Sequence, residues 1–135
     1  MANRVIEIHD SELKSIAVSN GEIVLELSPA YIHQSEGRPG MDAGTGWLQD
    51  AVIRILGEEI SGSFSELPCD LWDGQLKLPD ESLDNTIPIP LSVEGHIELQ
   101  LTSCSGESVQ IRGDGITLQL RGEPRYLEKA SADDV

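Results

Sequence analysis

From Gly95 to Gly122 the aliphatic residues fall on alternate positions, and the breaks between them leave few ways to fold the stretch. Ile97, Leu99 and Leu101 alternate with Glu98, Gln100 and Thr102, and the pattern resumes at Val109 and Ile111 and again at Ile116, Leu118 and Leu120. A period of two puts such residues on one face of a strand. A three-residue loop, Cys104-Ser105-Gly106, sets Leu101 against Val109 and Leu99 against Ile111, with Gly106 where a left-handed residue is needed. A two-residue loop would set Leu101 against Gln110 instead. Asp114-Gly115, taken as a two-residue turn, pairs Ile111 with Leu118 and Val109 with Leu120. The stretch predicts a C-terminal three-stranded meander whose apolar face requires a covering layer.

A second register test lies near the start. Asn20-Gly21 is a strong hairpin signal, because both residues tolerate positive φ. A two-residue loop there opposes Val18 to Ile23, Ile16 to Leu25, Ala17 to Val24 and Ser15 to Glu26, so the larger apolar pairs share one side. The middle of the chain is less regular. Ala51 to Ile60 has the continuous apolar character of a strand buried on both faces or of a helix. Cys69 to Leu78 fits a hairpin around Asp73-Gly74, and Ile87 to Leu91, with Pro88 and Pro90, fits an edge strand or an extended crossing. Ser35 to Gly46 (SEGRPGMDAGTG) has the composition of a long glycine-rich loop. These pieces predict one all-β domain over residues 1–127, an antiparallel sandwich or flattened barrel of about eight strands, with a frayed polar tail over 128–135.

Charge narrows the function. The 135 residues carry 24 acids against 9 bases, a formal net charge of −15. A surface of that sign does not neutralise phosphates or dock on anionic lipid, so nucleic acid and membranes are not expected partners. It attracts basic proteins or cations, and it also keeps a chain soluble with no partner at all. Cys69 and Cys104 lie in no CxxC or Cys/His cluster, no apolar run approaches 18 residues, and Met1 to Asp10 lacks the apolar region of a secretion signal. The chain reads as cytoplasmic, with reduced thiols and no cofactor signature.

Three groups of residues invite a functional reading. The Ser35–Gly46 loop carries Glu36, Arg38 and Asp42 beside His33 and runs into Trp47, an arrangement fit for a small ligand; the plainer reading is a flexible connection. If the ends of their strands meet, His9, His33 and Asp42 supply two imidazoles and a carboxylate for a metal or for acid–base work, although HxH, HxxxH and HExxH are absent. Asp70, Trp72 and Asp73 form an acidic-aromatic cluster suited to a basic group, unless Asp73-Gly74 is a turn and Trp72 is core. No nucleophile motif such as GxSxG occurs, which points away from an enzyme.

The segment His9-Asp10-Ser11-Glu12-Leu13-Lys14-Ser15-Ile16 (HDSELKSI), running into a hairpin, resembles the start of small bacterial β proteins, some of them grouped with immunity proteins of polymorphic toxin systems. The resemblance covers about the first 25 residues. It implies a non-enzymatic acidic module that binds a protein by surface complementarity, with a basic partner or a second copy as the occupant. The alternative is a small-molecule or metal site at the 35–46 loop.

Overall fold

The computed structural model describes residues 3–38 and 42–130. Ten strands follow one another: β1 Asn3–Glu7, β2 Glu12–Ser19, β3 Glu22–Ser35, β4 Gly44–Leu56, β5 Glu59–Gly62, β6 Cys69–Lys77, β7 Ser82–Asp84, β8 Thr86–Ile89, β9 Ser92–Ser103 and β10 Ser108–Ala130. A 3-10 turn, Ile8–Asp10, joins β1 to β2. All pairings are antiparallel, and six strands close a ring in the order β2, β6, β9, β10, β4, β3 and back to β2. The chain is thus an all-β flattened barrel. Beyond the ring, β1 pairs with β3 and carries β8, while β5 lies on β10 and β7 on β6.

The Asn20-Gly21 hairpin forms in the expected register, Val18 opposite Ile23 and Ile16 opposite Leu25. Its two turn residues sit at φ 54° and 76°, the conformation in which the turn's twist matches that of the strands. Pairing of β9 with β10 also follows the sequence, Leu101 opposite Val109 and Leu99 opposite Ile111.

The third strand of the meander does not fold back. Asp114-Gly115 lies inside β10, at a register shift between Gly113 and Gly115, and Ile116, Leu118 and Leu120 pair onward with Ile55, Ile53 and Ala51 of β4. A Cβ on Gly113 would come 2.4 Å from the Leu56 carbonyl oxygen and 2.5 Å from Ile55 Cγ2. The glycine marks a close strand crossing, a reading open to any strand glycine. Asp73-Gly74 is likewise no turn. β6 runs straight through it, with Gly74 packed under the Gln100 carbonyl and Ile8. The expected strand Ala51–Ile60 breaks at Gly57, between β4 and β5. The Ser35–Gly46 loop is shorter than its composition implies, because Gln34 and His33 already pair with Thr45 and Gly46. β8 lies at the end of the sheet path, as Pro88 within it requires. The tail is not frayed from residue 128: Glu128 and Lys129 pair with Gly46 and Thr45, and residues 131–135 lie outside the described part.

Aliphatic side chains fill the interior, among them Leu13, Ile23, Leu25, Ile53, Ile55, Leu76, Leu99 and Ile111. On β4 the inward row reads Ile55, Ile53, Ala51 and then Gln49 and Trp47, which carries it toward the strand's N-terminal end. Among the described residues no helix is long and apolar enough to cross a membrane.

Gly113→Ala tests the crossing under β10. The added methyl overpacks a backbone contact, so the variant loses about 1–3 kcal/mol in urea unfolding. A wild-type midpoint would show that Gly113 stands in open space, as a turn glycine does.

Candidate functional site

The residues singled out in the sequence are distributed over three places. His33 is fully buried on β3, not at an open strand end. Its Nδ1 lies 3.9 Å from Oε1 of Glu7, itself 3% exposed. Glu36 and Asp42 line a hollow of about 500 Å³ under the β3–β4 connection, together with Gln34, Ser35, Gly37 and Gly44. Arg38 is absent from its lining and reaches back to Asp42, whose Oδ2 accepts from the Arg38 backbone N–H at 2.7 Å and lies 3.8 Å from its Nε. Arg38 and Asp42 thus satisfy each other. Trp47 is part of neither group. Its indole N–H donates to Thr45 Oγ1 at 2.8 Å, and its ring meets Tyr126 edge-on at 5.3 Å.

The proposed set His9, His33 and Asp42 is not the one that converges. Among the described residues the donor atoms that come together are those of Glu7, His9 and Asp10, all within 4.8 Å of one another. The His9 ring is already committed. Asn85 Oδ1 accepts from the His9 backbone N–H at 2.7 Å, which turns the Asn85 amide nitrogen onto His9 Nδ1. Nδ1 is therefore the acceptor, and Nε2 carries the proton, 3.0 Å from Asp10 Oδ2. A metal at Nε2 needs the other tautomer, whose Nδ1–H would point at the Asn85 NH₂. The cluster is better described as a hydrogen-bonded cap on the 3-10 turn.

Beneath that cap lies a polar layer that sequence reading missed. Ser11, buried, donates its hydroxyl to the Glu7 carbonyl at 2.8 Å and accepts the Tyr31 N–H at 2.9 Å. The Tyr31 hydroxyl donates to Glu128 Oε1 at 3.2 Å. Burial raises the Tyr31 phenol first of all, and the Glu128 carboxylate adds to it. Burial also raises the Glu7 carboxyl, against the opposing pull of His9, and lowers the His33 imidazole. A signal for this layer was present in the glycines: a Cβ on Gly46 would stand 2.2 Å from the Tyr31 hydroxyl, and one on Gly44 would stand 1.9 Å from the Gln34 carbonyl oxygen, with His33 Nε2 at 3.0 Å. Gly46 makes room for the Tyr31 side chain, and Gly44 for the backbone of the neighbouring strand.

The third place is a groove of about 420 Å³ lined by His9, Asp10, Ser11, Glu12, Pro29, Asp70, Leu71, Trp72 and Cys104. Trp72 is not core. It is 68% exposed, next to the register shift between Leu71 and Asp73 that turns it out of the inward row. Glu12 stands directly opposite Asp70 across the β2–β6 pair. Like charges so placed repel, and no lysine or arginine lines the groove. Among the described residues Glu12, Asp70 and Asp73 have no ion pair. Cys104 on its wall is an exposed free thiol, while Cys69 is half-buried and its thiol is raised by burial.

Comparison with protein families, with curated proteins and with solved structures finds no match for the chain.

The buried carboxyl has a pH signature. Glu7 holds its proton more tightly folded than unfolded, so its contribution to stability is complete below its ordinary value of 4.5 and is lost as pH rises through the raised one. Glu7→Gln therefore melts with the wild type in acid and melts a few degrees higher at about pH 8. A variant that melts lower at both pH values would show that the native fold favours the ionised carboxylate.

Proposed function

We propose that this chain is a non-enzymatic binding module that takes a basic segment of a partner protein into the acidic groove beside Trp72. The observation that carries the reading is the Glu12–Asp70 pair: two acidic residues directly opposed across the β2–β6 pair, without an ion pair among the described residues, next to an exposed indole. Held so, the pair lowers the stability of the free protein, and a lysine or arginine between the carboxylates removes the repulsion. The indole supplies a broad apolar face for the methylenes of such a side chain and a π surface for its charge. The overall charge of −15 steers a basic partner toward the surface from a distance.

The resemblance of His9–Ile16 to immunity proteins falls in with this reading, since His9, Asp10, Ser11 and Glu12 of that segment all line the groove. An immunity-like role, in which the module blocks a basic toxin domain by covering it, needs no catalytic group and uses a surface of this kind. The second reading, a small-molecule site in the hollow under the β3–β4 connection, draws on its 500 Å³ and on Glu36 and Asp42. It is the weaker one, because Arg38 already occupies Asp42.

Capture from a lysate of the source organism, at about 50 mM and about 500 mM salt, tests the proposal. A basic protein is expected at low salt and lost at high salt. Trp72→Ala weakens its capture about tenfold or more, as loss of an interface anchor does. Asp70→Asn also weakens capture, yet stabilises the free protein by about 0.2–1 kcal/mol, because it relieves the repulsion. A partner retained equally by both variants, or one that is acidic, would sink the reading.

A further inference from the structure

Cations are scarce in this chain, 9 against 24 acids, so a surface lysine or arginine has many carboxylates to meet. Four of the nine nonetheless have no ion pair among the described residues, and three of these, Arg121, Arg125 and Lys129, lie on the last stretch of β10. From Arg125 to Ala130 that stretch pairs with β4 and has no strand on its other side, an arm whose residues from Arg121 to Lys129 are exposed. Of its two acids, Glu128 accepts from the Tyr31 hydroxyl, which leaves the arm predominantly basic. The arm also carries Tyr126 and Leu127, 54% and 48% exposed. The groove beside Trp72 has the complementary composition: Glu12 and Asp70 without an ion pair, and an exposed indole. Three of the six large apolar side chains that stand exposed among the described residues, Trp72, Tyr126 and Leu127, thus belong to these two surfaces, each beside unpaired charge of opposite sign.

We propose that a second copy of this chain occupies the groove, with its β10 arm as the basic segment. The proposal rests on the groove taking a basic segment at all, and names which one is always at hand. Arg125 and Lys129 bring the cations to Glu12 and Asp70, and Tyr126 and Leu127 meet the Trp72 indole. The arm does not serve the groove of its own copy. It is held on β4 by its ladder and by the edge-on contact of Tyr126 with Trp47, the groove lies where β2 meets β6, and β3 stands between them in the ring. Because it is already a strand, it docks with little ordering cost. The net charge of −15 on each copy opposes the approach over long range. At about 0.15 M salt the screening length is about 8 Å, so that repulsion fades while pairs in contact persist. Arm and groove are different patches, so the contact is heterologous; it closes into a ring or pair, or adds further copies. Either way the groove is covered until a partner displaces the arm.

Sedimentation of the purified full chain in reducing buffer at about 0.15 M salt tests the proposal; the reductant keeps the exposed Cys104 thiol out of the result. A small contact of this kind is weak, so the mass is expected to rise above that of the monomer between about 10 μM and about 1 mM. Two charge-reversed variants identify the contact. R125E/K129E has an acidic arm and the native groove; E12K/D70K has a basic groove and the native arm. Each alone opposes like charges and stays monomeric, at least tenfold weaker than the parent. Mixed in equal amounts they associate again, because each arm now meets a groove of opposite sign. Both variants remain strongly acidic, so net charge does not draw the mixture together. Thermal melts establish that each is folded; should E12K/D70K not fold, D70K takes its place. A parent that is monomeric throughout, a variant that associates like the parent, or a mixture that stays monomeric overturns the proposal. If any of these occurs while a basic protein is still captured at low salt, the groove reading stands and the second copy alone is excluded.

Discussion

Three strands hydrogen-bonded side by side, β3, β4 and β10, form the ladder on which the rest of the molecule depends. β3 faces β2 along Glu22–Leu27 and β1 along Tyr31–Ser35, with Pro29 between, a residue that has no N–H to give to either ladder. β10 faces β9 and β5 in its first half and has β4 alone beside its last residues. The same three strands therefore close a barrel at one end and lie in an open sheet at the other. An open sheet end has edges, and both are blunted. β8 carries Pro88 at its edge and ends before Pro90, while the arm of β10 has Pro124, two register shifts and alternating charge from Arg121 to Lys129. These are the devices by which sheets avoid joining to one another.

Turns were legible where the chemistry of the turn and the parity of the strands made separate demands that agreed. Asn20-Gly21 allows positive φ, and only a two-residue loop there keeps Ile16, Val18, Ile23 and Leu25 on one side. Cys104-Ser105-Gly106 passes the same double test. Asp114-Gly115 passed it as well and is still not a turn. A strand that runs on through the glycine keeps the same parity as one that folds back, so alternation within the strand cannot separate them. What decides is whether another strand waits to receive Ile116, Leu118 and Leu120, and β4, some sixty residues earlier, does so. That fact is non-local. Asp73-Gly74 was misread for the same reason, and there the partner is β9.

The candidate sites were legible in composition and not in position. The sequence put Trp72 in an acidic cluster, yet its exposure follows from a register shift between Leu71 and Asp73 that no dipeptide announces. It put Trp47 at the end of a loop, whereas Trp47 ends an inward row, which is why it faces Gln49 and Ile32 and not His33. The glycines at 44 and 46 read in the sequence as the end of a glycine-rich loop. In the folded chain they are absences of volume, taken up from the neighbouring strand by the Tyr31 side chain at Gly46 and by the Gln34 carbonyl at Gly44. A glycine that gives way to a side chain and a glycine that permits a loop look alike until the strand opposite is known.

With only Phe64, two tryptophans and two tyrosines as aromatics, the interior is filled by Ile, Leu and Val, which pack densely and carry no polar atoms. Against such an interior every polar departure stands out. Glu7 and His33 under the 3-10 turn, Gln49 at the end of the β4 row, and Glu12 opposite Asp70 at the β2–β6 contact each cost stability in the isolated chain. None lies among the inward rows in the middle of the barrel. Of these, Glu12 and Asp70 alone face solvent; Glu7, His33 and Gln49 are buried. A chain whose local choices otherwise agree with its fold breaks the pattern where something besides folding is selected. The closed, aliphatic middle of the barrel is then what makes those departures tolerable: it supplies the margin of stability against which buried polar groups and opposed acidic residues are held.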